Sequence, residues 1–305
     1  MLSCRLISHH YPTTKKVGRL KISKYIAYFD YPAIKMHIVK GTTYSDEIRG
    51  ICRQNSREAL EEFIQQNRET DPDYSPPLRK LLLGATDSRA DNIAAYCLEN
   101  GQVAYDAVMT SVVVNDSFAV YRLIVEHKAV DINYVVPWYG DILGVKAAGN
   151  QLDWVKFCLE HGADPNRNLV GEYLSALSCA ASTGSIQMVD LLLQHGARLK
   201  GSNAIVEAAI YGNLEMVKHL LSKGADIDEV GIEGPAGDEC YDDMGSPLHQ
   251  AAMEGHTRLA LFLIDAGANI HLKNPVGRTA EDIALEKDHT EILEALRRKL
   301  RTAKE

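Results

Sequence analysis

The sequence predicts an all-α solenoid of about eight two-helix units with hairpin fingers projecting to one side. Three observations predict it: self-similarity with a modal period near thirty-three residues, a short amphipathic helix closed by glycine in each copy, and a preceding helix that ends in paired small residues. The segments Gly184 to Arg198, Gly212 to Asp226 and Gly255 to Asn269 align without gaps. Within the second, Met216, Val217, Leu220 and Leu221 recur at the three and four spacing of one helical face. Upstream lie Ala180-Ala181, Ala208-Ala209 and Ala251-Ala252, small enough for two helices to approach closely.

Taken in chain order, residues 1–42 form a basic leader. Residues 43–305 form the repeat array. Leu20, Ile22, Tyr25, Ile26 and Tyr28 make the leader too apolar for a free tail, so part of it is expected to cap the first unit. It is Lys-rich and holds Pro12 and Pro32, unlike an organellar presequence. The second small position falls at Cys52, Thr86, Val113, Ala147, Ala181, Ala209, Ala252 and Leu285, with steps of 34, 27, 34, 34, 28, 43 and 33 residues. Since the helices align without gaps, each change of length belongs to a connecting finger. The 43-residue step marks an acidic finger insertion at 229–245, and insertions in such arrays map to one face, often the binding face. Ser246 and Thr279 stand where a hydroxyl would cap a first helix, and Pro247 sits in the first turn, where its missing N–H costs nothing. Arg297, Arg298, Lys299 and Arg301 make the last helix polar at its end.

These residues carry a resemblance. Ser246-Pro247-Leu248-His249, with Ala251-Ala252 and Gly255-His256, resembles the Thr-Pro-Leu-His-x-Ala-Ala-x-x-Gly-His signature of ankyrin repeats. Gly162 to Asn166 and Gly224 to Asp228 are similar to that family's Gly-Ala-Asp-x-Asn ending, and Gly277 to Ala284 is similar to its common terminal repeats. The resemblance is strong over 140–302, moderate over 104–139 and pattern-deep over 43–103. It implies an ankyrin-repeat solenoid and a protein-binding role, with His249 bonded to the Ser246 hydroxyl rather than engaged in chemistry.

Candidate contact residues follow from the fingers. Trp138, Tyr139 and Asp141 fall where a hairpin tip is expected, and two large aromatics on an exposed tip are a candidate hot spot. The bland alternative is that Trp138 packs on a neighbouring finger. Leu169, Val170 and Tyr173 occupy the next finger and would extend an apolar patch. In the acidic insertion, Asp238, Tyr241, Asp242 and Asp243 combine charge with an aromatic, as a grip on a basic partner would; a solvated loop without a task is the alternative. That run lacks the alternating ligand register and closing Glu of a calcium loop, so no metal is assigned. Trp154 sits at a core position. His127, His161 and His195 come at second-helix ends, where donors complement exposed carbonyls.

Charge and motif content narrow the function classes. Residues 1–40 hold eight Lys or Arg against Asp30, a net of +7, so the formal net charge of −8 leaves −15 on the rest. An acidic body does not suit phosphate binding, so nucleic acid is not an expected partner. No apolar run reaches the eighteen or so residues of a membrane span. Six scattered cysteines without a Cys-x-x-Cys pair give no disulfide framework and no zinc site, which fits a cytoplasmic or nuclear setting. No nucleophile elbow, His-Glu-x-x-His, phosphate loop or dinucleotide fingerprint occurs, so neither catalytic residues nor a cofactor are assigned. The expectation is a non-catalytic scaffold or adaptor, monomeric by itself, that binds another protein through its fingers and concave face. A partner with a basic patch would suit the acidic body. The rival reading is an enzyme, or an accessory enzyme subunit, with a site in a groove of the array.

Overall fold

The computed structural model describes residues 44–137, 139–167, 174–231 and 245–302. Among these residues sixteen helices follow one another in eight antiparallel pairs: α1 (Asp46–Gln54) with α2 (Arg57–Thr70), α3 (Leu78–Ser88) with α4 (Asp91–Glu99), α5 (Asp106–Asn115) with α6 (Phe118–Glu126), α7 (Ile142–Ala148) with α8 (Leu152–Glu160), α9 (Ala176–Thr183) with α10 (Ile186–Gln194), α11 (Ala204–Ile210) with α12 (Leu214–Ser222), α13 (Pro247–Glu254) with α14 (Thr257–Asp265), and α15 (Ala280–Glu286) with α16 (Thr290–Thr302). The odd-numbered helices form an inner row and the even-numbered ones an outer row. In the finger between the third and fourth units β1 (Val135–Val136) runs antiparallel to β2 (Gly140–Asp141), Val135 opposite Asp141 and Val136 opposite Gly140.

One backbone feature sets the register of the whole array. Each inner helix is closed by a residue in the left-handed region: Asn55, Arg89, Asp116, Asn150, Gly184, Gly212, Gly255 and Asp288. Three residues before each stands the second small position expected from the sequence, from Cys52 to Leu285. The eight-unit count and its irregular steps are therefore those of the structure. Glycine at Gly212 answers two needs at once. Its φ is 66°, and an added Cβ would lie 2.6 Å from Nδ1 of His256, whose ring reaches back to bond the Ile210 carbonyl with Nε2 at 3.0 Å. At Asn55, Arg89 and Asp116 the closing side chain itself makes the link to the next unit. Asn55 Nδ2 donates to Asp91 at 2.7 Å, and Asp116 accepts from Lys146 Nζ at 2.6 Å.

Caps start the inner helices as the hydroxyl positions predict. Ser246 Oγ lies 2.8 Å from His249 Nδ1, and Thr279 Oγ1 accepts from the Asp282 N–H at 3.2 Å while Asp282 answers to the Thr279 N–H at 2.8 Å. His127 and His161 bond the Leu123 and Phe157 carbonyls at 3.0 and 2.8 Å, the end-of-helix role expected of them. Trp154 is core, 4% exposed. The core runs unbroken from Ile48 to Leu296 because no unit can cover its own apolar face.

Both ends of the described array are polar. At the first unit Asp46, Glu47, Arg49, Glu61 and Glu62 are exposed, and at the last Arg297, Arg298 and Lys299 are. The leader expected to act as a cap lies outside the described residues. So does residues 232–244 of the acidic insertion.

Candidate partner-binding surface

Two residues separate each pair of small residues from the left-handed closure. A helix turns about 100° per residue, so these two swing away from the face that the pair buries. They stay on the open side of the inner row, covered neither by the outer helices nor by the adjoining inner ones. One line reads Arg53, Asp87, Val114, Ala148, Ser182, Ile210, Met253 and Glu286; beside it run Gln54, Ser88, Asn115, Gly149, Thr183, Tyr211, Glu254 and Lys287. Apart from buried Ala148, they are partly or fully exposed. From Val114 to Tyr211 neither line bears a formal charge; in the next unit Met253 stands beside exposed Glu254, and both ends of the row are charged. The middle is small at Ala148, Gly149, Ser182 and Thr183 and apolar on both sides, with Val114 41% exposed.

Finger bases are tied by side-chain to backbone bonds that repeat between units. Asn133 Oδ1 accepts from Asp164 N at 2.8 Å, Asn166 Oδ1 from Arg198 N at 2.8 Å, and Asp228 Oδ1 from Asn269 N at 2.8 Å. The finger shortened by the 28-residue step carries Arg198 and Lys200 where its neighbours carry Asp164 and Asn166, and Asp226 and Asp228. Lys200, lacking an acceptor, cannot continue that ladder.

The structure redraws the aromatic tip. Tyr139 is 6% exposed, not a projecting aromatic, because a turn bonding its N–H to the Val136 carbonyl at 3.0 Å folds it inward. Asp141 is 4% exposed and is the cap of α7, its Oδ1 accepting from the Gly144 N–H at 2.6 Å. Both are therefore structural where an exposed contact was expected. Trp138, Tyr173, Asp238, Tyr241, Asp242 and Asp243, with Leu169 and Val170, lie outside the described residues. The residues that sequence reasoning passed over are those of the inner row. Their signal is positional: they follow the paired small residues at every period.

The outer side carries two open grooves, of about 640 Å³ between α8 and α10 and about 330 Å³ between α6 and α8. Their charges engage one another. Arg122 meets Glu126 at 3.3 Å, Lys156 meets Glu160 at 3.8 Å, and Asp190 takes Lys223 at 2.8 Å, the chief reason its carboxyl is held below the usual range, and also His219 at 2.9 Å. Among the described residues no group of three or more His, Cys, Asp or Glu is placed to hold a metal, and no helix is long and apolar enough to cross a membrane. The four described cysteines are buried, and burial pushes the thiols of Cys52, Cys97 and Cys158 up to about 12, so they are protonated and inert in the folded chain.

Comparison with known proteins agrees with this architecture. Residues 142–230 match the family described as Ankyrin repeats (3 copies), and residues 248–297 the family described as Ankyrin repeats (many copies). Human Cyclin-dependent kinase 4 inhibitor B is 30% identical over 125 residues, which are 40% of this chain and 84% of that protein. Human Protein phosphatase 1 regulatory subunit 27 is 35% identical over 95 residues, 31% of this chain and 54% of that one. The Transient receptor potential cation channel subfamily A member 1 homolog of Caenorhabditis elegans is 31% identical over 126 residues, 40% of this chain but only 10% of that protein's length. Eight two-helix units in one register, a Ser246–His249 cap and a relative matched over most of its length place this chain in the ankyrin-repeat family.

Proposed function

We propose that this chain is a non-catalytic protein-binding module, a scaffold or adaptor, which holds its partner against the open side of the inner helices. Ankyrin repeats are generally protein–protein interaction modules. One observation carries the reading for this chain: an accessible double row whose centre, Val114 to Tyr211, is uncharged and partly apolar, with Met253 continuing the apolar line in the next unit. Apolar side chains already fixed on rigid helices lose little entropy on contact, which favours binding. The partner this suits presents an uncharged, partly apolar ridge to the row. The sequence-based finger candidates Trp138, Tyr173, Asp238, Tyr241, Asp242 and Asp243 would add contacts at its edge, and the acidic insertion favours a partner with a basic patch nearby.

The test is affinity capture from native cells with the full chain, an Ile210→Asp and Met253→Asp double variant, and Ile186→Asp on the outer side as control. Proteins retained by the wild type and the control but lost by the double variant are expected. An identical set from all three would remove the inner row from the reading.

A further inference from the structure

Seven junctions join the eight units, and one differs from the rest. At the other six the inner helices pack side by side: α1 on α3, α3 on α5, and each neighbour from α7 to α15. α5 and α7 do not pack this way. β1 rests on α5 instead, and β2 leads directly into α7.

The cause lies in side-chain size. The register that sets an added Cβ of Gly84 3.0 Å from Cys52 puts Val145 at the corresponding position to Val113. Two β-branched residues fall there, both half-buried, where the later junctions have alanine on at least one side. Beside them Lys146 replaces the first of the paired small residues, the position of Ala180, Ala208 and Ala251.

What spans the junction is a set of long side chains. Lys146 Nζ lies 2.6 Å from Asp116 and 4.0 Å from the centre of the Trp154 ring. Gln151 Nε2 donates to the same Asp116 oxygen at 3.2 Å. Trp154 lies 4.6 Å from Phe118 and 5.2 Å from Tyr121, ring centre to ring centre, and the Tyr121 hydroxyl is 3.5 Å from Cys158 Sγ. The lysine is buried while its carboxylate partner is half exposed, so the ammonium's desolvation is only partly offset. In a one-dimensional array cooperativity passes through each interface in turn, and a weak interface divides it.

We propose that the described array is two cooperative bodies, residues 44–126 and 142–302, joined at a seam between the third and fourth units, and that the first opens without the second. The seam crosses the accessible row between Val114 and Ala148. It thus makes the row's curvature adjustable at one place, and a partner that spans it would fix the angle. This inference stands whether or not the binding reading does, since its test uses no partner.

The buried cysteines are placed to report on it. Cys52 and Cys97 lie before the seam, and Cys179 lies beyond it. In the full chain at low guanidinium concentrations, alkylation of Cys52 and Cys97 is expected at a common rate at least tenfold faster than that of Cys179. Native-state hydrogen exchange is expected to divide the amides at the same boundary. Asp116→Asn, which takes the counter-charge from buried Lys146, should widen the gap by speeding opening before the seam alone. Val113→Ala with Lys146→Ala, which restores the small residues of the later junctions, should narrow it. One common opening rate for all three cysteines in the wild type would overturn the proposal, and so would equal acceleration on both sides in Asp116→Asn.

Discussion

His249 shows how one residue binds local structure to pH. Its Nδ1 lies 3.2 Å from the Ser246 N–H, so that nitrogen must accept, while Nε2 donates to the Arg278 carbonyl at 3.2 Å. Only the neutral ring satisfies both. Burial lowers its pKa, backbone acceptors opposing, so the unfolded chain takes up this proton more readily than the folded one. The stability it contributes is complete above the unfolded histidine value of about 6.5 and is lost as pH falls below it. Urea unfolding between pH 7 and 5 should show a loss for the wild type that is smaller in His249→Gln, although that variant starts lower. Equal slopes would exclude the role.

Lys128 offers a test of opposite sign. It closes α6 with φ 55°, where Gly162, Gly196, Gly224 and Gly267 close later outer helices. A left-handed conformation costs a residue with a Cβ about 1–2 kcal/mol, less the entropy glycine adds to the unfolded state. Lys128→Gly should therefore raise stability by about 0.5 kcal/mol or more. Chemical denaturation measures this, and a loss would show that the strain is relieved in some other way.

At the scale of one helix, position within the array decides what a side chain does. Ala252 and Leu285 occupy the same place in α13 and α15, three residues before the closure. The first is wholly buried beneath the next inner helix; the second is 54% exposed, since no further described inner helix follows α15. Ala252→Leu should overpack the α13–α15 contact and cost about 1–3 kcal/mol. Leu285→Ala should stay within about 0.5 kcal/mol. Thermal unfolding of the two variants checks the contrast, and a large cost at Leu285 would mean that something covers it.

For the whole molecule, charge and contact are separated in space. Residues 41–305 carry a net −15, yet the centre of the inner row carries no formal charge. Long-range attraction would then govern encounter, while uncharged contacts govern release. With a recovered basic partner, raising salt from 0.05 to 0.5 M should slow association several-fold and change dissociation little. Salt dependence carried by dissociation would place charged residues inside the contact.

Much of this was legible in the sequence, because repetition makes each unit a second reading of its neighbours. The register from Cys52 to Leu285, the caps at Ser246 and Thr279 and the burial of Trp154 depend on residues near one another in the chain, and periodicity exposes them. The inner row was visible as a position but not as a surface, since nothing local says which side the outer helices leave open. Tyr139 and Asp141 misled for the same reason: composition describes an exposed aromatic tip, and only the turn at Val136 shows that it folds inward. The seam lay deepest. Val113 sits in one unit and Val145 and Lys146 in the next, and that they hold two helices apart depends on what each meets across the junction. Sequence alone settled the repeat, its count and its helices, which arise from short-range spacing and capping. Tertiary structure alone decided which faces remain open and at which junction the inner helices do not pack side by side, because those depend on the sizes of side chains that come together from distant places in the chain.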